Sequence, residues 1–173
     1  TDALGSPYSS PSSFAFNPWF LDANELKLNN FISNSDYLEK FRKDGLNINS
    51  LKFKIADDLA ELIGELLLKN WDSQPISRKN KFSKWLENNK WVEDYSIFMV
   101  LKEQFNLLPW WQWPEEFRDK DKIKIDLWKK DNSNKLLVKK LIQWHLHRQW
   151  LKIKKFAALK SYFVIGFNLG TTN

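Results

Sequence analysis

A chain of 173 residues, 43% of them hydrophobic, is long enough to fold around a sizeable core and too apolar to be disordered throughout. It contains no cysteine, which excludes disulfides, a cysteine nucleophile and cysteine-based zinc sites. The net charge of +6 comes from basic residues interspersed with Asp and Glu, a pattern typical of a solvated surface, so we expect no nucleic-acid binding.

The first 20 residues are predicted to form a loop, because prolines, glycine and serines dominate residues 1–18. Tyr8, Phe14 and Phe16 lie in this stretch, and their aromatic side chains predict that the loop is pinned to the rest of the protein. Residues 1–17 lack the basic and apolar regions of a secretory signal, and no apolar run approaches the roughly 18 residues of a membrane span. We therefore expect a soluble, cytoplasmic protein that does not bind membranes.

Helical signals begin near residue 21. Asp22 is a candidate N-cap for a short helix ending near residue 31, and a second short helix is predicted over 36–43, with Gly45 just beyond it as a stop signal. Ser50 is then the candidate cap of a long helix. Its apolar residues recur at intervals of three and four, which places them on one face: Leu51, Ile55, Leu59, Leu62 and Leu66.

Two further helices are predicted between residues 77 and 105. Ser77 is the candidate cap of the first, whose inward side chains are expected to be Phe82, Trp85 and Leu86. The second begins near residue 90, and its apolar face has the same spacing of three and four: Trp91, Tyr95, Phe98, Leu101 and Phe105.

A tryptophan-rich turn comes next. Pro109 and Pro114 bracket it, which predicts that residues 110–113 are not helical. The chain contains ten tryptophans, and this residue fills cores and also forms flat platforms for sugars or bases. We expect the tryptophans of this turn to lie in the core rather than to form a sugar platform: Trp110, Trp111 and Trp113.

The longest helix is predicted over residues 134–161, with Asn132 or Ser133 as its cap. Its apolar face comprises Val138, Ile142, Leu146, Trp150, Ile153 and Ala157. The short apolar run at 162–166 then indicates a buried parallel strand. The fold is therefore predicted to be mainly α, with one strand at its far end, as in a piece of a larger α/β fold.

Few side chains could carry out chemistry. His145 and His147 are two apart on a helix, so they point to different faces and cannot share a metal ion; we interpret both as structural. Adjacent carboxylates on a helix do not face each other across a cleft, and we interpret the acidic pairs as solvated or helix-end charges: Asp57-Asp58, Glu93-Asp94 and Glu115-Glu116. Without a glycine-rich phosphate loop or a nucleophile elbow, the residues alone predict no active site, metal or organic cofactor.

Three stretches, in order, carry a family pattern. Residues 5–10 (GSPYSS) and 13–18 (SFAFNP) look like the pattern S-P-Y-x-S…S-A-F-A-G-N-P, with Phe16 in place of the glycine before Asn17. Residues 91–102 (WVEDYSIFMVLK) and 109–114 (PWWQWP) are similar to W-L-x-D-Y-A-L-F-M-A-L-K and P-W-x-x-W-P.

The third stretch is RQWLKIKKFA at 148–157, followed by VIG at 164–166, which is similar to R-Q-W-x-x-L-K-x-Y-A before the strand I-I-G-D-x-P. Together the three stretches resemble the 4-α-glucanotransferases of glycoside hydrolase family 77. The similarity is loose over residues 36–80 and ends after Gly166, where the family's aspartate and proline are absent.

The resemblance implies a (β/α)₈ barrel with a helical insertion, of which this chain is an incomplete piece. Residues 1–20 would be the loop after the second barrel strand, 21–118 the inserted helical subdomain, and 119–166 the long helix and the returning strand, with a divergent tail at 167–173. Loops after barrel strands carry active sites, so the first of these segments is placed to meet substrate.

The implied reaction is transfer of α-1,4-glucan segments between maltooligosaccharides with retention, without a cofactor. The family's catalytic carboxylates belong to motifs that do not occur in this chain, so no catalytic residue is assigned and the chain alone is expected to be inactive. Tyr8 matches a tyrosine that packs on the donor sugar, and Ser6 is expected to bond in the same site. The alternative is a non-catalytic, tryptophan-rich helical module that binds glucan or a protein partner.

Overall fold

The structure is a computed structural model, and it describes residues 12–36 and 53–159. The regular elements of these residues are helical, as predicted, and they follow one another in this order: α1 (Ala23–Leu28), α2 (Phe53–Lys69), α3 (Ile76–Asn88), α4 (Trp91–Gln104), α5 (Glu115–Arg118), α6 (Lys122–Asp131) and α7 (Ser133–Leu159). Short 3-10 turns lie at Pro18–Phe20 and Trp110–Gln112. The predicted strand at 162–166 lies outside the described residues.

The long helix α7 is the centre of the fold. Helices α2 and α4 both pack along it, and the turn Pro18–Phe20 contacts both α2 and α7. Val138, Ile142 and Leu146 are all buried, which confirms the first half of the predicted apolar face. Burying these side chains, each worth about 1.5–3 kcal/mol, holds the layers together.

Gly64 allows α2 to approach α7 closely. A Cβ atom at this position would lie 2.6 Å from Cγ1 of Val138 and 2.9 Å from Cδ1 of Ile142. Both distances are shorter than carbon atoms tolerate, so the interhelical contact depends on the missing side chain.

A smaller apolar cluster lies at the other end of α4, away from the main core. It contains Val100, Leu101, Trp113, Trp128 and Leu136. Trp128 belongs to α6, a helix that the sequence analysis missed. Asp121 caps this helix by accepting a hydrogen bond from the Lys124 amide at 3.1 Å.

Helix starts were predicted with mixed success. Asp22 caps α1 as expected, accepting hydrogen bonds from the amides of Asn24 and Glu25. Ser77 does not cap α3, because the Pro75 carbonyl accepts the first helical hydrogen bonds and the helix already begins at Ile76. Residues 34–36 are helical, while the rest of the helix predicted over 36–43 and the candidate cap Ser50 lie outside the described residues.

Two other details differ from the prediction. Residues 110–112 form a 3-10 turn rather than a non-helical segment, since the Pro109 carbonyl accepts from the Gln112 amide. Ile153 is 55% exposed although it was placed on the apolar face of the long helix, and Leu151 and Phe156 are exposed with it. Ala157, on the same predicted face, is 6% exposed, so the predicted apolar face is only partly buried in this part of α7. Within the described residues, no helix has the length and apolar character needed to cross a membrane.

Candidate functional site

The end of the loop predicted over residues 1–20 is fixed to α7. Gln143, which is 1% exposed, accepts a hydrogen bond from the Phe16 amide at 2.9 Å and donates one to the Phe16 carbonyl at 2.9 Å. Gln149 makes the same pair of bonds with the backbone of Asp22, both at 3.0 Å. In each case the side-chain amide bonds to both the backbone N–H and the backbone C=O of one residue, as a neighbouring β-strand would. These bonds satisfy backbone groups that burial would otherwise leave unpaired. We call these two contacts the glutamine clamps.

Local hydrogen bonds shape residues 12–19, the part of the chain around the first clamp. Ser12 Oγ accepts from the amides of Phe14 and Ala15, and Asn17 Oδ1 accepts from the Trp19 amide at the start of the 3-10 turn. Side chains of this kind stabilise turns by satisfying backbone donors locally. Ser6 and Tyr8, the predicted substrate-binding residues, lie outside the described residues, so their role stays a prediction.

Phe16, which replaces the family's glycine, packs into the aromatic surroundings of α7. Its ring centroid lies 6.3 Å from that of His147 and 6.4 Å from that of Trp150. His147 in turn accepts a hydrogen bond at Nδ1 from the Trp85 indole at 2.9 Å. Burial lowers the pKa of His147, which favours the neutral imidazole that this bond requires.

His145 lies on another face of α7 and is 1% exposed. The Arg148 guanidinium donates to its Nδ1 at 2.8 Å, and the Phe31 ring meets it edge-on at 4.4 Å. Burial first, and then the positive charges of Arg148 and Arg78, hold the pKa of His145 well below its usual value of 6.5. The two histidines therefore have different surroundings, and the described residues contain no cluster of side chains that could hold a metal ion.

The buried histidine predicts a pH-dependent stability. Below pH 6.5 His145 is protonated in the unfolded state but stays neutral in the folded state. The free energy of unfolding therefore falls as the pH falls, by up to about 1.4 kcal/mol per pH unit. Urea unfolding at pH 7.5 and pH 5.5 measures the difference, which we expect to be at least about 1 kcal/mol. Carboxylates with a lowered pKa, such as Glu93, titrate below 4.5 and do not act in this window.

His145→Gln removes the titrating group and is expected to flatten the pH dependence, whatever it does to stability at neutral pH. His147→Gln is the matched control, because His147 is only half-buried and contributes less. An unchanged slope in His145→Gln would show that the buried imidazole is not responsible.

The acidic pairs hold charge contacts rather than a reactive site. Glu93 forms ion pairs with Lys129, at 2.7 Å, and with Lys140. These two ion pairs link the start of α4 to α6 and α7. Glu93 and Asp94 lie in the first turn of α4, where their charge favours the helix dipole, and Glu115 and Glu116 lie in the first turn of α5.

The tryptophan-rich turn differs from its prediction. Trp113 is 6% exposed and belongs to the smaller cluster, but Trp110 and Trp111 are 52% and 60% exposed, so the expectation that all three lie in the core is wrong. Of the three tryptophans, Trp113 packs its ring against Phe98 and Phe105.

Comparison with known proteins gives consistent matches. A sequence model described as 4-alpha-glucanotransferase, of glycoside hydrolase family 77, matches residues 1–168. The chain is 30% identical to a 4-alpha-glucanotransferase of Clostridium butyricum over 162 residues, which make up 93% of this chain and 32% of that protein. It is 28% identical to one of Thermus thermophilus, with 93% and 31% covered.

The fold also has a solved counterpart. An amylomaltase from Streptococcus agalactiae, solved in complex with acarbose, superposes with a TM-score of 0.77 at 23% identity, covering 91% of this chain and 31% of that one. The chain spans about a third of the length of the relatives it matches.

Proposed function

The chain belongs to the 4-alpha-glucanotransferase family, and on that premise we propose that it is part of an enzyme that transfers α-1,4-glucan segments between maltooligosaccharides with retention. One structural observation carries the proposal. The glutamine clamps hold the backbone of Phe16 and Asp22, eight and fourteen residues after Tyr8, against the central helix. A loop that starts from a fixed backbone is preorganised, and preorganisation is what a sugar-binding loop needs to orient its substrate.

In this proposal Tyr8 packs its ring on the donor sugar and Ser6 bonds to a hydroxyl group of the same sugar. Pro7, between them, fixes its own φ and keeps Ser6 extended, so the direction of the tyrosine is preset. An aromatic ring suits a pyranose because the sugar's C–H groups form an apolar face.

We assign no catalytic residue to this chain. Retaining transfer needs a nucleophilic carboxylate and a second carboxyl group that acts first as acid and then as base. We propose that both belong to the part of the relatives' length that this chain does not span. The barrel is equally part of the proposal, with residues 1–20 as a barrel loop, 21–118 as the inserted subdomain and 119–166 as the long helix and returning strand. The enzyme would act in the cytoplasm without a metal ion or organic cofactor.

The test is a disproportionation assay with maltotriose on the polypeptide translated from the whole reading frame that contains this chain. We expect release of glucose together with longer maltooligosaccharides. A folded polypeptide that binds maltooligosaccharides without transferring them would instead identify the non-catalytic binding module and contradict the enzyme proposal.

Tyr8→Ala in that polypeptide should lower kcat/KM about 30-fold, because losing an aromatic ring that packs on the transferring sugar costs about 2 kcal/mol of binding. Tyr8→Phe keeps the ring and should stay within about threefold of the parent enzyme. The kinetics of maltotriose disproportionation give both values. Equal losses in the two variants would show that the hydroxyl group, and not the aromatic face, is what the site uses.

A further inference from the structure

The turn between α4 and α5 is a rigid frame. Trp113 anchors it, with its indole N–H donating to the Leu108 carbonyl at 3.0 Å and its ring packed 5.5 Å from Phe98. Pro109 and Pro114 fix the backbone on either side, with φ of −58° and −51°. The side chains of this turn are therefore held in place without help from a ligand.

The frame presents two tryptophans to solvent. Trp110 and Trp111 are 52% and 60% exposed, and their ring centroids lie 6.0 Å apart with the ring planes at 84°. Their indole N–H groups donate to no other described residue. By contrast, the indoles of Trp85, Trp113 and Trp128 all donate to a protein acceptor. Two large apolar faces and two donors remain available to a ligand on one short turn.

Carboxylates are grouped at the start of the neighbouring helix α5. An open hollow of about 560 Å³ adjoins the start of α5, which contacts the turn Trp110–Gln112. It is lined by Glu115, Glu116, Asp119, Asp121, Lys122 and Ile123. Carboxylates accept hydrogen bonds from hydroxyl groups and repel anions, so the surroundings favour a neutral polyol over a phosphate or a nucleic acid.

We propose that Trp110 and Trp111 form a second, non-catalytic binding site for α-1,4-glucan. The indole faces stack on the C–H faces of neighbouring glucose units, and the indole N–H groups and nearby carboxylates bond to hydroxyl groups. The ring geometry selects the polymer: an α-1,4-linked glucan curves, so successive units present faces at an angle, whereas a β-1,4-linked glucan is a flat ribbon that needs coplanar rings. The choice of glucose as the sugar rests on the proposed function.

The experiment follows the ten indole N–H resonances of the 173-residue chain during titration with maltoheptaose. Trp110→Phe and Trp111→Phe assign the two signals of interest. We expect these two signals to move saturably while the signal of buried Trp113 stays in place. The double variant Trp110→Ala/Trp111→Ala should weaken binding at least about tenfold.

Ile76→Ala is the matched control, because Ile76 is an exposed apolar residue at the start of α3 that the proposal does not use. It should leave binding unchanged, and thermal melts should show the same transition for all variants. Cellohexaose, the β-1,4-linked comparison, should leave both signals in place.

Three results would overturn the site: no movement of the two signals, maltoheptaose binding unaffected by the double variant, or equal binding of cellohexaose. A turn that binds another protein instead of a sugar would give the first of these. None of the three bears on the proposed transfer reaction, which the maltotriose assay and Tyr8→Ala test separately.

Discussion

Gln143→Leu is expected to lower the free energy of unfolding by about 2–5 kcal/mol. The change leaves the Phe16 amide and carbonyl without the partners that Gln143 supplies, at a site where Gln143 itself is 1% exposed. Each buried polar group left unpaired costs about 1–3 kcal/mol. The Tyr95 hydroxyl, which faces Gln143 at 3.4 Å, also loses a neighbour; burial raises the pKa of Tyr95 to about 12, so it stays protonated.

Urea unfolding measures the global loss, and hydrogen exchange of backbone amides locates it. The segment 12–22 can detach locally if that costs less than unfolding the whole domain, so exchange of the Phe16 amide should accelerate more than exchange in α4. The Asp22 amide, held by Gln149, should remain protected if the two clamps act independently.

Gln112→Leu is the control for this prediction. Gln112 is exposed and lies in the tryptophan-rich turn, so its replacement should change stability by no more than about 0.5 kcal/mol. A loss in Gln143→Leu no larger than in the control would show that the clamp does not stabilise the fold.

Gly64→Val is expected to destabilise the protein by about 3 kcal/mol. A side chain at this position meets Val138 Cγ1 at 2.6 Å, and a β-branched residue within a helix has almost no freedom to turn away. Ile142 Cδ1, at 2.9 Å, is the end of a longer side chain and can yield more easily. Overpacking of this kind typically costs about 1–3 kcal/mol, and the branched side chain of valine worsens it.

Gly64→Ala combined with Val138→Ala tests the cause. In the single variant Gly64→Ala, the higher helix propensity of alanine stabilises the protein by up to about 1 kcal/mol. We nevertheless expect a net loss of stability, because the new Cβ atom would contact Val138. In a double-mutant cycle the second substitution should restore part of the stability, giving a favourable coupling energy. Net stabilisation by Gly64→Ala would instead show that α2 and α7 are not as close as the structure has them.

Local sequence patterns identify most of the helices. The spacing of three and four predicts the apolar faces of α4 and of the first part of α7, and it works because Tyr95, Leu101 and Ile142 are buried as a helical stripe requires. It fails for α6, where Trp128 is the only buried residue and Lys alternates with Ile over residues 122–125, a spacing that does not mark a helical face.

Local sequence patterns do not predict contacts between residues that are far apart in the sequence. Gln143 pairs with a backbone 127 residues away, and no local rule connects the two positions. One signal was present: a polar residue stands in the middle of the apolar run of α7, between Ile142 and Trp144, where only a hydrogen-bonded side chain is tolerated. The predicted substrate residues Ser6 and Tyr8 came from the family resemblance and remain predictions.

The glutamine clamps also fix the number of residues that the chain can have between them. Phe16 and Asp22 are six residues apart, as are Gln143 and Gln149, although six helical residues rise about 9 Å and six extended ones reach about 20 Å. The 3-10 turn Pro18–Phe20 takes up this difference in length. An extra or missing residue between 17 and 21 would therefore put one glutamine out of register, whereas changes in length before residue 12 would leave both in place.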